Sequence, residues 1–220
     1  MRFTCEPWDE RYSAPFSKLT GTYELELHPT IEAIVRLAPT RIVEVGAAEG
    51  YYAIGLARRI PRANVIAFDE LPRARAILRE LAVRNGVADR VAIRERCECD
   101  DLSAALGDGA GTLLMLDVEG YELTLLDPIA VTVLRRVPIL VECHDFIVAG
   151  VTSALIARFA ESHHVRTIAN RARTLRDLPM IPWLVRRYCR HQVLGWANER
   201  VGGPMVWLWL EPKSRDEVAE

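Results

Sequence analysis

Four apolar runs in this chain each end in polar residues able to do acid–base or ligand chemistry. Glu44 and Gly46 close the first, Asp69 follows Asn64–Phe68, Asp117 follows Thr112–Leu116, and Glu142 and His144 close the run from Ile139. An imidazole titrates near neutrality, so His144 is the group best matched to taking a proton from a hydroxyl. Asp117 or Glu142 would orient it. The same residues with Asp145 form an oxygen-rich set suited to Mg²⁺, although no ligand spacing diagnostic of a metal is present. Cys97 and Cys99 make half a metal site, with no second pair to complete it. His163-His164 and the basic runs 171–176 and 186–191 read as solvated surface, the histidines at a helix end favoured by its dipole.

The first acidic run continues into Gly46-Ala47-Ala48-Glu49-Gly50 and then apolar residues at helical spacing, Ala53, Ile54, Ala57 and Ile60. That order is strand, glycine turn, helix, the first half of a βαβ unit. Such a turn leaves helix N–H groups facing a ligand. The G-x-G-x-x-G spacing of a dinucleotide fold is missing, because Ala47 and Ala48 occupy the middle of the turn. Asp69 lies about twenty residues beyond the turn, where a carboxylate can accept ribose hydroxyls; Glu70 is its neighbour for the same task.

Helices must alternate with these strands. Pro29 opens one over Ile31, Ile34 and Val35. Pro72 opens the clearest, with Ala74, Ile77, Leu78, Leu81 and Ala82 on one face and Asn85-Gly86 at its end. Val91–Ile93, Val165–Ala169 and Met205–Leu210 supply three further strands, and a helix from Thr152 or Ser153 runs to Glu161. Near-continuous apolar strands separated by helices predict a Rossmann-like α/β fold, a doubly wound, seven-stranded, mostly parallel sheet with helices on both faces. Ligands bind beyond the carboxyl ends of such strands, where the acids and His144 cluster.

The pattern of Glu44, Gly46 and Gly50 resembles the first motif of class I S-adenosylmethionine (SAM)-dependent methyltransferases. Asp117-Val-Glu-Gly-Tyr-Glu122 resembles the D-x-E-G-x-E motif of the FkbM-type members, and Leu140-Val-Glu-Cys-His-Asp145 resembles their fifth-strand motif. The likeness covers about residues 41 to 170. It implies SAM as cofactor, with Glu44, Gly46, Ala47 and Gly50 at its methionine half, and Asp69 and Glu70 at the ribose. The loop 97–101 would pass near the adenine. It also implies methylation of a hydroxyl on a sugar or other small metabolite, with His144, Asp117 and Glu142 as the catalytic candidates. An RNA or protein methyltransferase and a non-catalytic SAM-binding module are the alternatives.

A chain of 220 residues, 50% hydrophobic and 26% charged, is long enough for one sizeable core. Residues 1–40 read as an N-terminal cap, 41–212 as the methyltransferase domain with a lid insertion at 171–204, and 213–220 as a frayed tail. A net charge of −2 argues against a general grip on nucleic acid. Five cysteines at irregular spacing suit reduced thiols, and no apolar run is long enough to span a bilayer. A cytoplasmic protein acting on a small-molecule acceptor is expected; oligomeric state is not legible.

Overall fold

A computed structural model describes residues 14–198, 205–214 and 217. In chain order the elements are α1 (Pro15–Thr20), a 3₁₀ turn (Leu25–Leu27), α2 (His28–Leu37), β1 (Arg41–Val45), α3 (Tyr51–Arg59), β2 (Asn64–Phe68) and α4 (Pro72–Arg84). These are followed by β3 (Val91–Arg94), α5 (Cys99–Leu106), β4 (Thr112–Leu116), α6 (Glu122–Leu125), a 3₁₀ segment (Thr132–Arg136), β5 (Ile139–Cys143), α7 (Val151–Phe159) and β6 (His163–Ala169). After a 3₁₀ turn (Leu175–Asp177), α8 (Trp183–Tyr188), α9 (Arg190–Ala197) and β7 (Val206–Pro212) complete the described chain.

The seven strands form one sheet in the order β3-β2-β1-β4-β5-β7-β6. The pairs from β3 to β5 are parallel, and β7 runs antiparallel to both of its neighbours. Strands β4 and β5 are buried along their whole length, because helices cover both faces and every side chain meets a core. Ile42, Val65, Leu113 and Leu140 pack under α2, α3 and α4 on one face. Val43, Leu114, Val141 and Leu208 pack against α5 and α7 on the other. Strand alternation therefore sends Glu44 and Glu142 to the α2–α3 face, at the carboxyl edge of the sheet.

Ahead of α2 the 3₁₀ turn spans Leu25–Leu27, and Glu24 before it takes a left-handed φ of 42° and accepts the Tyr52 hydroxyl at 2.5 Å. One expectation is corrected. His163 and His164 open β6 rather than ending a helix. His163 is buried, with its Nε2 3.0 Å from the Val137 carbonyl, and burial lowers its pKa.

Candidate functional site

The first loop of the sheet is shaped by close approach. Gly46 takes a φ of +83°, and a Cβ there would stand 1.7 Å from the Asp117 carbonyl oxygen, so only glycine lets the β1 and β4 loops meet. Ala48 continues the turn at a φ of 47°. Its N–H donates to Asp69 Oδ2 at 2.8 Å, while Oδ1 accepts from Leu71 N–H at 2.8 Å. Asp69 thus ties the end of β2 to the glycine turn and to the start of α4. Each oxygen keeps a further acceptor site. Burial raises this carboxyl above its ordinary range, partly opposed by the two N–H groups.

Two cavities flank the turn and share Gly46, Ala48, Asp117 and Glu119 as walls. One, of about 410 Å³, is bounded by Phe68, Asp69, Arg96, Cys97 and Tyr121. The Arg96 guanidinium lies 5.0 Å from the Tyr121 ring centroid and reaches Glu98 at 2.6 Å and Glu70 at 3.2 Å. Glu70, expected at a ribose, lines this cavity and is paired there with Arg96. The loop from Glu95 to Cys97 lines the cavity, whereas Glu98 and Asp101 form the capping box of α5.

The second cavity, of about 480 Å³, has Glu44, Glu142, His144, Tyr51, Phe146 and Trp207 among its walls. Glu44 is buried, and its Oε2 has no hydrogen-bond partner among the described residues. Burial, with Asp117, Asp69, Glu49 and Glu24 nearby, pushes its pKa well above the usual carboxylate range. A buried carboxylate oxygen without a partner is costly, and a cation in this cavity would relieve it.

His144 and Glu122 form a buried pair, 1% and 0% exposed. Glu122 Oε1 lies 2.5 Å from His144 Nδ1 and accepts the Gly120 N–H at 3.0 Å. The far nitrogen, Nε2, stands 3.4 Å from Asp117 Oδ1 and 3.8 Å from Glu119 Oε2. Desolvation lowers the imidazole pKa, but the Glu122 bond and the charges of Asp117, Glu122 and Glu119 outweigh it and raise it overall. The residue on Nδ1 is therefore Glu122, which the sequence reading left unassigned. Glu142 lines the same cavity. Asp145 is turned away: it accepts the Thr152 N–H and hydroxyl at the start of α7, leaving the Mg²⁺ set proposed from sequence without that member.

Two distant parts of the chain, α1 and α9, also supply walls of this cavity. Phe16 of α1 stacks near Trp196 of α9, ring centroids 5.8 Å apart, and packs on Leu178, Val193 and Ala197. Lys18 of α1 reaches down to pair with Glu49 of the glycine turn. Arg173 donates to Glu26 at 2.7 Å and to the Thr22 carbonyl at 3.1 Å. Trp196, Asn198 and Met205 also face the cavity. The end of the expected lid, residues 199–204, and the first thirteen residues of the expected cap lie outside the described residues.

No protein-family model and no curated protein matches the sequence. Solved structures do. The cofactor-bound Rv0187 from MTB superposes with a TM-score of 0.55 at 17% identity, covering 84% of this chain and 81% of its own. A SAM-dependent methyltransferase from Geobacter sulfurreducens in complex with S-adenosyl-L-homocysteine gives 0.50 at 19% identity, over 86% and 91% of the two chains. A precorrin-6Y C5,15-methyltransferase from Geobacter metallireducens gives 0.55 at 12% identity, over 84% and 87%. With a mostly parallel seven-stranded sheet and helices on both faces, the chain has the Rossmann-like fold of the SAM-dependent methyltransferases.

Proposed function

We propose that the chain is a SAM-dependent methyltransferase acting on a hydroxyl of a small metabolite or sugar. The observation that carries this reading is the buried Glu44 carboxylate, partnerless at Oε2, in a cavity joined at the glycine turn to a second one bounded by Asp69. A ligand that is cationic at one end and a nucleoside at the other satisfies both. The donor set fits SAM: Asp69 with its remaining acceptor sites towards the ribose, the Glu95–Cys97 loop towards the adenine, and Glu44 with the turn at Gly46, Ala47 and Gly50 towards the ammonium. When bound, SAM supplies an activated methyl on a sulfonium.

What the protein adds is alignment, proton removal and exclusion of water. We assign alignment and exclusion to the aromatic walls Tyr51, Phe146 and Trp207 and to α1, α9 and the described part of the segment after β6, read together as a roof. Proton removal is assigned to the group around His144, with Glu122 fixing the ring and Asp117, Glu119 and Glu142 sharing the cavity. The D-x-E-G-x-E stretch supports an FkbM-type subfamily by its spacing, and in this chain its last acid holds His144. Free Cys97, Cys99, Cys143 and Cys189 support a reducing, cytoplasmic setting.

Calorimetry with SAM and S-adenosylhomocysteine tests the cofactor reading; absence of binding to folded protein, or tighter binding of NAD, rejects it. A panel of hydroxylated small molecules, bulk RNA and bulk protein with methyl-labelled SAM tests the acceptor class.

A further inference from the structure

We propose that Asp117, Glu119 and His144 form a site for a divalent cation of the first transition row, with Glu122 as the group that orients its histidine ligand. The site itself stands on geometry; the use assigned to it rests on the methyltransferase reading above.

One ligand atom from each of the three residues lies within 4.8 Å of the others. His144 is buried, yet its Nε2 makes no hydrogen bond among the described residues and faces the two carboxylates at 3.4 and 3.8 Å. Those separations are long for a hydrogen bond. Two ligands bound at about 2.1 Å, subtending about 90–110° at one ion, stand about 3.0–3.4 Å apart, so a small inward shift brings all three into a coordination sphere. The opposite ring nitrogen is engaged by a buried carboxylate, Glu122, at 2.5 Å. A carboxylate behind a ligating imidazole fixes the tautomer and raises the basicity of the metal-facing nitrogen.

The approach is open where an ion would enter. Asp117 and Glu119 are 37% and 51% exposed, against 1% for His144, so the carboxylates face the cavity while the imidazole forms its floor. Three protein ligands leave further positions for water or an acceptor oxygen. One imidazole with two carboxylates favours Mn²⁺, Fe²⁺ or Zn²⁺ over Mg²⁺, which prefers an all-oxygen shell. An ion here would lie in the cavity assigned to the acceptor. With Nε2 ligated, His144 would hold the ion instead of taking the proton itself, and the ion would act as a Lewis acid that makes the acceptor hydroxyl easier to deprotonate.

The test uses the metal-free 220-residue chain titrated with Mn²⁺ alone, read by electron paramagnetic resonance. One Mn²⁺ per chain is expected, with ¹⁴N coupling from an imidazole that disappears in His144→Ala. Glu119→Gln, at a half-exposed position, should weaken binding at least about tenfold, and Glu122→Gln about 10–100-fold. No binding at about 1 mM Mn²⁺, or equal binding by wild type, Glu119→Gln and His144→Ala, overturns the site. S-adenosylhomocysteine binding is measured in parallel. Protein that binds it but not Mn²⁺ overturns the cation site alone; protein that binds Mn²⁺ with the expected coupling but not S-adenosylhomocysteine supports the site and overturns the cofactor reading.

Discussion

Arg173 and Glu26 form an ion pair at 2.7 Å, 3% and 8% exposed, across almost 150 residues of sequence. It joins the segment after β6, proposed above as part of the roof, to the turn before α2, whose Glu24 lines the cavity. Removing one member of a buried pair leaves an uncompensated charge and costs about 3–5 kcal/mol. Arg173→Met should therefore loosen the roof. The expected result is S-adenosylhomocysteine affinity close to wild type with a large fall in acceptor methylation, checked by calorimetry and single-turnover assay.

Glu44 and Asp69 should separate the two ends of the cofactor. Glu44→Gln keeps the shape and removes the charge. Loss of a charge-assisted bond to the ammonium should cost about 1.5–3 kcal/mol of affinity. Asp69→Ala should cost a similar amount through the ribose, and also free the Ala48 and Leu71 N–H groups it now accepts. Its melting temperature should fall as well, whereas that of Glu44→Gln should hold or rise, since burial disfavours the charged form of Glu44. Calorimetry and thermal melts read both.

Turnover should depend on His144 more than binding does. His144→Ala is expected to lower kcat by about 10²–10⁴-fold with cofactor affinity nearly intact. Glu122→Gln should lower it less and shift the pH–rate profile, because the amide still meets Nδ1 but no longer stabilises a charged ring. A wild-type rate in His144→Ala removes the histidine from the chemistry.

His163 sets a pH limit on stability. Its pKa is lowered, chiefly by burial, with the nearby charges of His164 and Lys213 adding to this and the Val137 carbonyl opposing it. The unfolded chain binds a proton near the ordinary histidine value of about 6.5, which the folded chain resists. Stability should hold above that value and decline as pH falls through about 6.5 towards the depressed folded pKa. His163→Asn should flatten this part of the curve in thermal melts from pH 7.5 down to about 5.

Much of the fold is legible in the sequence, because strands buried on both faces leave unbroken apolar runs. Asn64–Phe68 and Thr112–Leu116 can be read to the residue. Strand β6 is harder. Its burial alternates with solvent exposure, and the buried His163 looks like its solvated neighbour in one dimension. Helix α1 is only six residues long, too short to show a period. At the site, Glu44, Asp69, Asp117 and His144 stand out because each ends a strand. Glu122 does not: its pairing with His144 spans 22 residues and depends on the turn through Glu119 and Gly120, at φ 50° and 101°. The D-x-E-G-x-E spacing was its only trace.

The reversed direction of β7 leaves this architecture room to change. Ala169, the last residue of β6, pairs with Val206, the first of β7, and Val206 also pairs with Cys143 of β5. Both ends of the roof segment therefore leave and rejoin the sheet at one spot, beside the strand that delivers His144. The sheet has already closed that loop, so doubling its length would add only about 0.6 kcal/mol of closure entropy. Insertions there can remodel what the cavity accepts while the glycine turn, Asp69 and the His144–Glu122 pair keep their places. On the methyltransferase reading proposed above, acceptor preference would then drift in descendants of this sequence far faster than the chemistry beneath it.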